Sequence, residues 1–258
     1  MKSKYQTSLQ KLFEIQDRIN NIHPLLKKVY PIAIVEENYF LIFDTDSSGK
    51  KYVFIKKSFT PESLPKRITA AFPLECYGNK TACIITGEIV GTLEGYVTIF
   101  HEFVHCYQCE ICEQKLKQTL QIAQRAMVKK EYSWELNYPF AYNDNKFIER
   151  YSLFLNALKE IKLNEIFQIR NQLRQILGKD DFEYMVWQEW KEGFARFIEN
   201  HIRIRLGLKE NFYGIEKPYH RITFYQGGAW FIEFLGKYEP ELLLNIERLF
   251  HKMLTFGQ

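Results

Sequence analysis

The stretch His101-Glu102-Phe103-Val104-His105 decides the fold of this chain, because it needs a helix to bring its two histidines together. On a helix, residues four apart lie on one face about 6 Å from each other, so both imidazoles can bind one metal ion. Apolar residues recur at helical spacing around the stretch, on a separate face: Phe100, Phe103, Val104, Tyr107 and Ile111. The sequence therefore predicts a helix that carries a metal site.

Glu102 lies between the two histidines, in the H-E-x-x-H pattern of zinc enzymes. Zinc lowers the pKa of a bound water to about 7, and a neighbouring carboxylate can take its proton as the water attacks a carbonyl. The pattern predicts Zn²⁺ as the cofactor, His101 and His105 as ligands and Glu102 as the general base. The competing interpretation is that both histidines are core or surface residues without a metal.

A third ligand is needed, because a catalytic zinc normally has three protein ligands and one open position. No third histidine follows at the short spacing of H-E-x-x-H-x-x-G-x-x-H, and the glycine of that pattern is absent as well. The sequence therefore favours a carboxylate on a later helix.

The segment Glu192-Gly193-Phe194-Ala195-Arg196-Phe197 resembles the E-G-x-A-x-(aromatic) segment of the gluzincin zinc metallopeptidases. The third zinc ligand of that family is a glutamate on a downstream helix, and small residues beside it let this helix pack closely on the motif helix. The resemblance implies that Glu192 is the third metal ligand. Glu189 and Glu199 remain alternatives, and an ordinary solvent-facing Glu192 would pair with Arg196 four residues on.

The segment Tyr225-Gln226-Gly227-Gly228-Ala229-Trp230 is similar to the Y-x-x-G segment of aminopeptidase-like gluzincins. The resemblance implies that Tyr225 donates a hydrogen bond to the oxyanion, a contact whose loss typically costs about 3 to 4 kcal/mol. Tyr219 and His220 are alternatives. No G-x-M-E-N-like segment precedes His101, so the resemblance implies a peptidase reaction on a peptide or protein substrate and leaves aminopeptidase specificity in doubt. A catalytically silent zincin-fold protein that binds metal or regulates is the other functional interpretation.

Strands come first along the chain and helices after, which predicts an α+β fold. Residues 7–22 favour a helix, and Thr60-Pro61-Glu62 favours the start of a short helix that runs to about Ala71. Strands of a small antiparallel sheet are predicted at Val29–Val35, Tyr39–Phe43, Tyr52–Ile55 and Ala82–Thr86. Beyond residue 114 the apolar spacing is helical almost throughout.

These elements, with the resemblance, predict a single zincin-like catalytic domain over residues 1–258. We expect a sheet lobe with the motif helix in residues 1–113, a helical lobe in residues 114–258, and the active-site cleft between them. In zincins an edge strand pairs with extended peptide, and Ala82–Thr86 is placed to be that strand.

Composition limits the classes of partner and compartment. The 258 residues carry a net charge of +4 without a long basic stripe, which argues against nucleic-acid binding. No uncharged apolar run is long enough for a membrane span, and no export signal is apparent, so a cytoplasmic protein that does not bind membranes is expected. The five cysteines favour a reducing compartment, and Cys106, Cys109 and Cys112 are expected to be ordinary thiols, since Cys112 lies roughly 10 Å along the helix from His105.

Overall fold

A five-stranded mixed sheet forms the β part of this α+β fold in the computed structural model, which describes residues 2–60, 64 and 68–257. The strands are β1 (Ile32–Glu36), β2 (Tyr39–Thr45), β3 (Tyr52–Phe59), β4 (Thr69–Leu74) and β5 (Lys80–Thr86), in the order β3-β2-β1-β5-β4. The prediction of a wholly antiparallel sheet is wrong for one pair, because β1 and β5 run parallel. The long connection through β2, β3 and β4 makes a parallel pair possible, whereas a tight hairpin would not.

The expectation that Ala82–Thr86 is an edge strand is also wrong. β5 pairs with β1 on one side and with β4 on the other, so the edges of the sheet are β3 and β4. The sequence predicted a helix up to Ala71, but Thr69–Leu74 forms strand β4. Because β4 was not predicted, its pairing with β5 was not expected either. Residues 61–63 and 65–67 of that predicted helix lie outside the described residues. Pro73 is tolerated in β4 because an edge strand has unpaired backbone positions.

The helices follow the sequence pattern closely. They are α1 (Lys2–Ile19), α2 (Leu93–Gln108), α3 (Gln114–Thr119), α4 (Gln121–Lys129), α5 (Trp134–Asn137), α6 (Asn145–Glu160), α7 (Leu163–Ile176), α8 (Lys179–Arg205), α9 (Thr223–Tyr238), α10 (Glu241–Leu244) and α11 (Ile246–Thr255). A π-helical turn, Cys109–Glu113, joins α2 to α3. None of the helices in the described part of the chain combines the length and the apolar character of a membrane span.

The chain forms two compact units, one of residues 1–111 and 198–210 and the other of residues 112–197 and 211–258. In the first unit, α2 packs against β4 and β5, with Phe100 and Phe103 in edge-to-face contact at 5.6 Å between ring centroids. The opposite face of the sheet has its own apolar cluster around Phe40, Ile42 and Ile84. The sheet and α2 therefore form one core in which the helix is held by its apolar face.

Aromatic side chains build the core of the second unit. Trp187 and Trp190 lie 5.2 Å apart between ring centroids, and both contact Phe250. The Trp190 indole donates a hydrogen bond to the carbonyl of Ile246 at 2.8 Å. The Trp187 indole donates to Glu135 Oε2 at 2.9 Å. Both tryptophans are fully buried with their indole N–H groups paired, so they are core residues.

Candidate metal site

The two histidines of α2 point their Nε2 atoms at the same place. Thr92 caps the helix by accepting a hydrogen bond from the backbone N–H of Gly95, so the helix is established well before His101. The Nε2 atoms of His101 and His105 lie 3.2 Å apart. Two nitrogens on one tetrahedral zinc, each about 2.0–2.1 Å from the ion, are separated by roughly 3.3 Å. The rings thus already have the spacing of two ligands to one ion.

Hydrogen bonds at Nδ1 determine which nitrogen of each ring is available. His101 Nδ1 lies 3.0 Å from Glu199 Oε2, and His105 Nδ1 lies 2.9 Å from Gln108 Oε1. Both partners offer an acceptor, so the tautomer with its proton on Nδ1 satisfies each of these hydrogen bonds and puts a lone pair on Nε2. In that tautomer the two Nε2 lone pairs face each other at 3.2 Å, an arrangement that a cation between them stabilises.

Glu192 on α8 completes a possible ligand set. His101, His105 and Glu192 each offer one ligand atom, and these atoms all lie within 4.8 Å of one another. Two imidazoles and one carboxylate are a donor set that could hold a metal ion.

The two alternative glutamates of α8 are engaged elsewhere. Glu189 is fully buried and forms an ion pair with Arg170 at 2.7 Å, with a hydrogen bond from Tyr151 at 3.0 Å. Glu199 contacts His101 at Nδ1, the side of the ring that faces away from the other histidine. Glu189 is thus a structural ion-pair partner, and Glu199 orients the His101 ring.

Glu192 does not lie on a solvent-facing surface, as an ordinary helical glutamate at this position would. Its side chain is 16% exposed, because α8 is buried on nearly all sides between residues 182 and 200. The Nη1 atom of Arg221 lies 3.8 Å from Glu192 Oε1. A partly buried carboxylate is stabilised by a nearby cation, whether an arginine or a metal ion.

Close backbone contact fixes α8 against α9 next to Glu192. A Cβ on Gly193 would lie 2.7 Å from Gly228 Cα, and one on Gly228 would lie 2.1 Å from the carbonyl oxygen of Glu189. The family resemblance implied that small residues here serve packing on the motif helix. Gly193 instead packs on α9, and this contact sets the position of Glu192 relative to the start of that helix.

The three oxyanion-donor candidates lie at or just before the start of α9, and each has partners within the protein. The hydroxyl of Tyr219 lies 2.7 Å from Ser152 Oγ, and His220 Nδ1 accepts a hydrogen bond from the backbone N–H of Ile222 at 3.2 Å. Tyr225 is half-buried at the beginning of α9, with the Arg221 guanidinium 5.4 Å from its ring centroid. Tyr225 thus lies next to the cation that contacts Glu192.

Glu102 is buried without a compensating cation. It is 5% exposed, and no hydrogen bond or ion pair joins its carboxylate to another of the described residues. Burial, reinforced by this carboxylate, raises the pKa of the Cys83 thiol well above its usual range. Glu102 lies three residues before His105 on the same helix. A cation bound at the histidine pair would stabilise this buried carboxylate.

The cysteines after the motif are free thiols, and Cys106 and Cys112 are buried. Burial raises the pKa of Cys106 well above its usual range and that of Cys112 to about 12. Burial in a core is a common environment for a free cysteine.

The sequence analysis did not predict that Gln108 and Glu199 orient the histidines, although it named Glu199 as an alternative third ligand. Gln108 lies three residues after His105 on the same helix, a spacing that lets side chains meet, and this was the available signal. Glu199 lies 98 residues from its partner His101, so only the tertiary structure brings them together.

Comparison of the chain with family models, curated proteins and solved structures finds no match.

Proposed function

We propose that this chain is a zinc-dependent hydrolase of zincin-like fold that cleaves peptide bonds. The observation that carries the proposal is the convergence of the His101 and His105 Nε2 atoms at 3.2 Å, with each Nδ1 held by an acceptor. A helix that only packed against a sheet would not need two imidazole lone pairs aimed at one point.

The donor set favours zinc over other metals. Imidazole is a ligand for zinc, copper, iron and nickel, whereas magnesium and calcium prefer oxygen atoms alone. In the proposal His101, His105 and Glu192 hold the ion, while Glu199 and Gln108 keep the two rings in the ligating tautomer.

Zinc, when bound in such a set, acidifies a water molecule and polarises a carbonyl group. Glu102 accepts a proton from the attacking water as its oxygen bonds to the carbonyl carbon. It then returns that proton to the amine nitrogen as the carbon–nitrogen bond breaks. Tyr225 donates a hydrogen bond to the oxygen that becomes negatively charged.

A peptide or protein substrate is proposed from the resemblance of the Glu192 and Tyr225 segments to gluzincin peptidases. All five cysteines are free, which agrees with a reducing compartment, and we propose the cytoplasm.

The test combines metal analysis with turnover. The purified protein is expected to bind one zinc per chain and to cleave a mixed peptide library until a chelator is added. Glu102→Gln should keep the zinc and lose cleavage, because the amide is not a base. Stoichiometric zinc without any cleavage in the wild-type protein would instead favour the catalytically silent metal-binding protein. Full cleavage by Glu102→Gln would contradict the mechanism.

A further inference from the structure

The guanidinium of Arg221 has no hydrogen-bond acceptor among the described residues. Its side chain is 28% exposed, and its nearest carboxylate oxygen, on Glu192, is 3.8 Å away. That distance exceeds a hydrogen bond, which for N–H···O lies at about 2.7–3.2 Å. Arginine has five N–H donors in a fixed fork. Arg221 therefore keeps its donors available at a largely buried position.

Other arginines of the same unit are used differently. Arg170 forms a buried ion pair with Glu189, Arg174 donates to the carbonyls of Leu254 and Phe256, and Arg196 donates to the carbonyl of Asn211. Each of them has an oxygen of the protein within hydrogen-bond distance. Arg221 differs from them, although it is not a freely exposed surface residue.

Arg221 also carries the positive charge next to a group of tyrosines. Its guanidinium lies 5.4 Å from the ring centroid of Tyr225. Burial raises the pKa of Tyr142 and Tyr184, and the charge of Arg221 acts against that rise in both. The hydroxyls of Tyr142 and Tyr184 lie 3.2 Å from each other. Arg221 is thus a cation that lies against this group of tyrosines.

We propose that Arg221 binds a carboxylate group of the peptide substrate. The inference rests on the proposed peptidase function. A guanidinium fork pairs with a carboxylate through two parallel hydrogen bonds, which a fixed water or a neutral amide cannot reproduce. Because Arg221 adjoins Glu192 and Tyr225, the bound carboxylate lies within one or two residues of the bond that is cut, at about 3.8 Å per residue. Such a carboxylate belongs to the C-terminus of the peptide or to an Asp or Glu side chain.

A merely structural Arg221 would behave differently. If it only oriented Glu192, its loss would weaken zinc binding and slow the cleavage of every peptide to the same extent. Loss of a carboxylate-binding Arg221 weakens the cleavage of peptides that carry the anionic group more than that of neutral peptides, and it does so mainly through KM.

Three matched pools of N-acetylated hexapeptides separate the sources of the carboxylate. The first ends in a free carboxylate, the second ends in an amide and contains Gln, and the third is the second with Glu in place of Gln. The variants are Arg221→Met, Arg221→Lys and, as a control at an exposed ion pair, Arg248→Met. Zinc content and kcat/KM are measured for each, and binding of the pools is measured calorimetrically in zinc-loaded Glu102→Gln with and without Arg221→Met.

Wild-type protein is expected to prefer the first or the third pool over the neutral second pool, and the preferred pool identifies the source of the carboxylate. Arg221→Met should lower kcat/KM for that pool by about 10- to 100-fold more than for the neutral pool, with the zinc content still one per chain. Arg221→Lys should recover part of the loss, and Arg248→Met should match wild type.

Cleavage of all pools without preference, unaffected by Arg221→Met, would overturn the carboxylate site and leave the peptidase intact. Equal loss on all pools, or loss of zinc, would also overturn it, in favour of an orienting role. If nothing is cleaved but Glu102→Gln binds one anionic pool in an Arg221-dependent way, the peptidase proposal fails and the anion site stands. Absence of both cleavage and preferential binding would overturn both.

Discussion

Glu199 Oε2 lies 3.0 Å from His101 Nδ1, with both side chains largely buried. A carboxylate at Nδ1 favours the tautomer whose proton lies on that nitrogen, and in the proposed metal site it would make the ring a stronger ligand. Its counterpart, Gln108 on His105, is neutral. The two rings are therefore oriented by one charged and one uncharged acceptor.

Replacing Glu199 should weaken metal binding in two steps. Glu199→Gln keeps an acceptor for Nδ1 but removes the charge, whereas Glu199→Leu removes both. We expect the zinc dissociation constant to rise in both variants, and by about 10- to 100-fold for Glu199→Leu. Competition with a chelating dye measures this directly. The exposed Glu241→Gln serves as a control, and unchanged zinc affinity in Glu199→Leu would refute the orienting role.

Gly228→Ala should disturb the site through the backbone. The added Cβ would lie 2.1 Å from the Glu189 carbonyl oxygen, so α8 and α9 must separate. Overpacking of this kind typically costs about 1 to 3 kcal/mol of folding free energy. The free energy of unfolding, measured with denaturant, and the zinc affinity should both fall. Gly178→Ala is the matched control, because nothing lies within 4 Å of its added Cβ.

The pH dependence of stability should reveal a buried charge cluster in the second unit. Burial opposes ionisation of Glu135, but Lys191 and Lys117 outweigh it and lower the pKa of its carboxyl from 4.5 to about 2. A carboxyl with a lowered folded-state pKa stabilises the protein above its unfolded pKa. That contribution is lost as pH falls from about 4.5 toward about 2. The full contribution is on the order of 3 kcal/mol.

Urea unfolding of wild type and Glu135→Gln over this pH range tests the cluster. The wild-type advantage in unfolding free energy should be largest at neutral pH and should shrink as the solution is acidified. An advantage that does not vary with pH would show that the Glu135 charge contributes nothing.

Local patterns predicted the helices and four of the five strands. Strand β4 was not predicted, because Thr60-Pro61-Glu62 gives a helix-start signal. The strand at Thr69–Leu74 depends instead on its pairing with β5, which is a long-range contact. The same omission placed β5 at the edge of the sheet. The parallel β1–β5 pair likewise depends on connections that no short window contains.

The candidate site was predictable where its chemistry is local. His101, Glu102 and His105 follow from one helical turn, and the nomination of Glu192 followed from a resemblance; the structure brings this glutamate to the histidine pair. Arg221 carries no motif at all. Its proposed role follows from the tertiary structure, in which the nearest carboxylate oxygen lies 3.8 Å from its guanidinium.

Anomalous diffraction at the zinc edge from crystals of the zinc-loaded protein tests the central claim most directly. We predict a single strong peak bound by Nε2 of His101, Nε2 of His105 and a carboxylate oxygen of Glu192. A peak at other side chains, or no peak beside the two imidazoles at saturating zinc, would contradict the account.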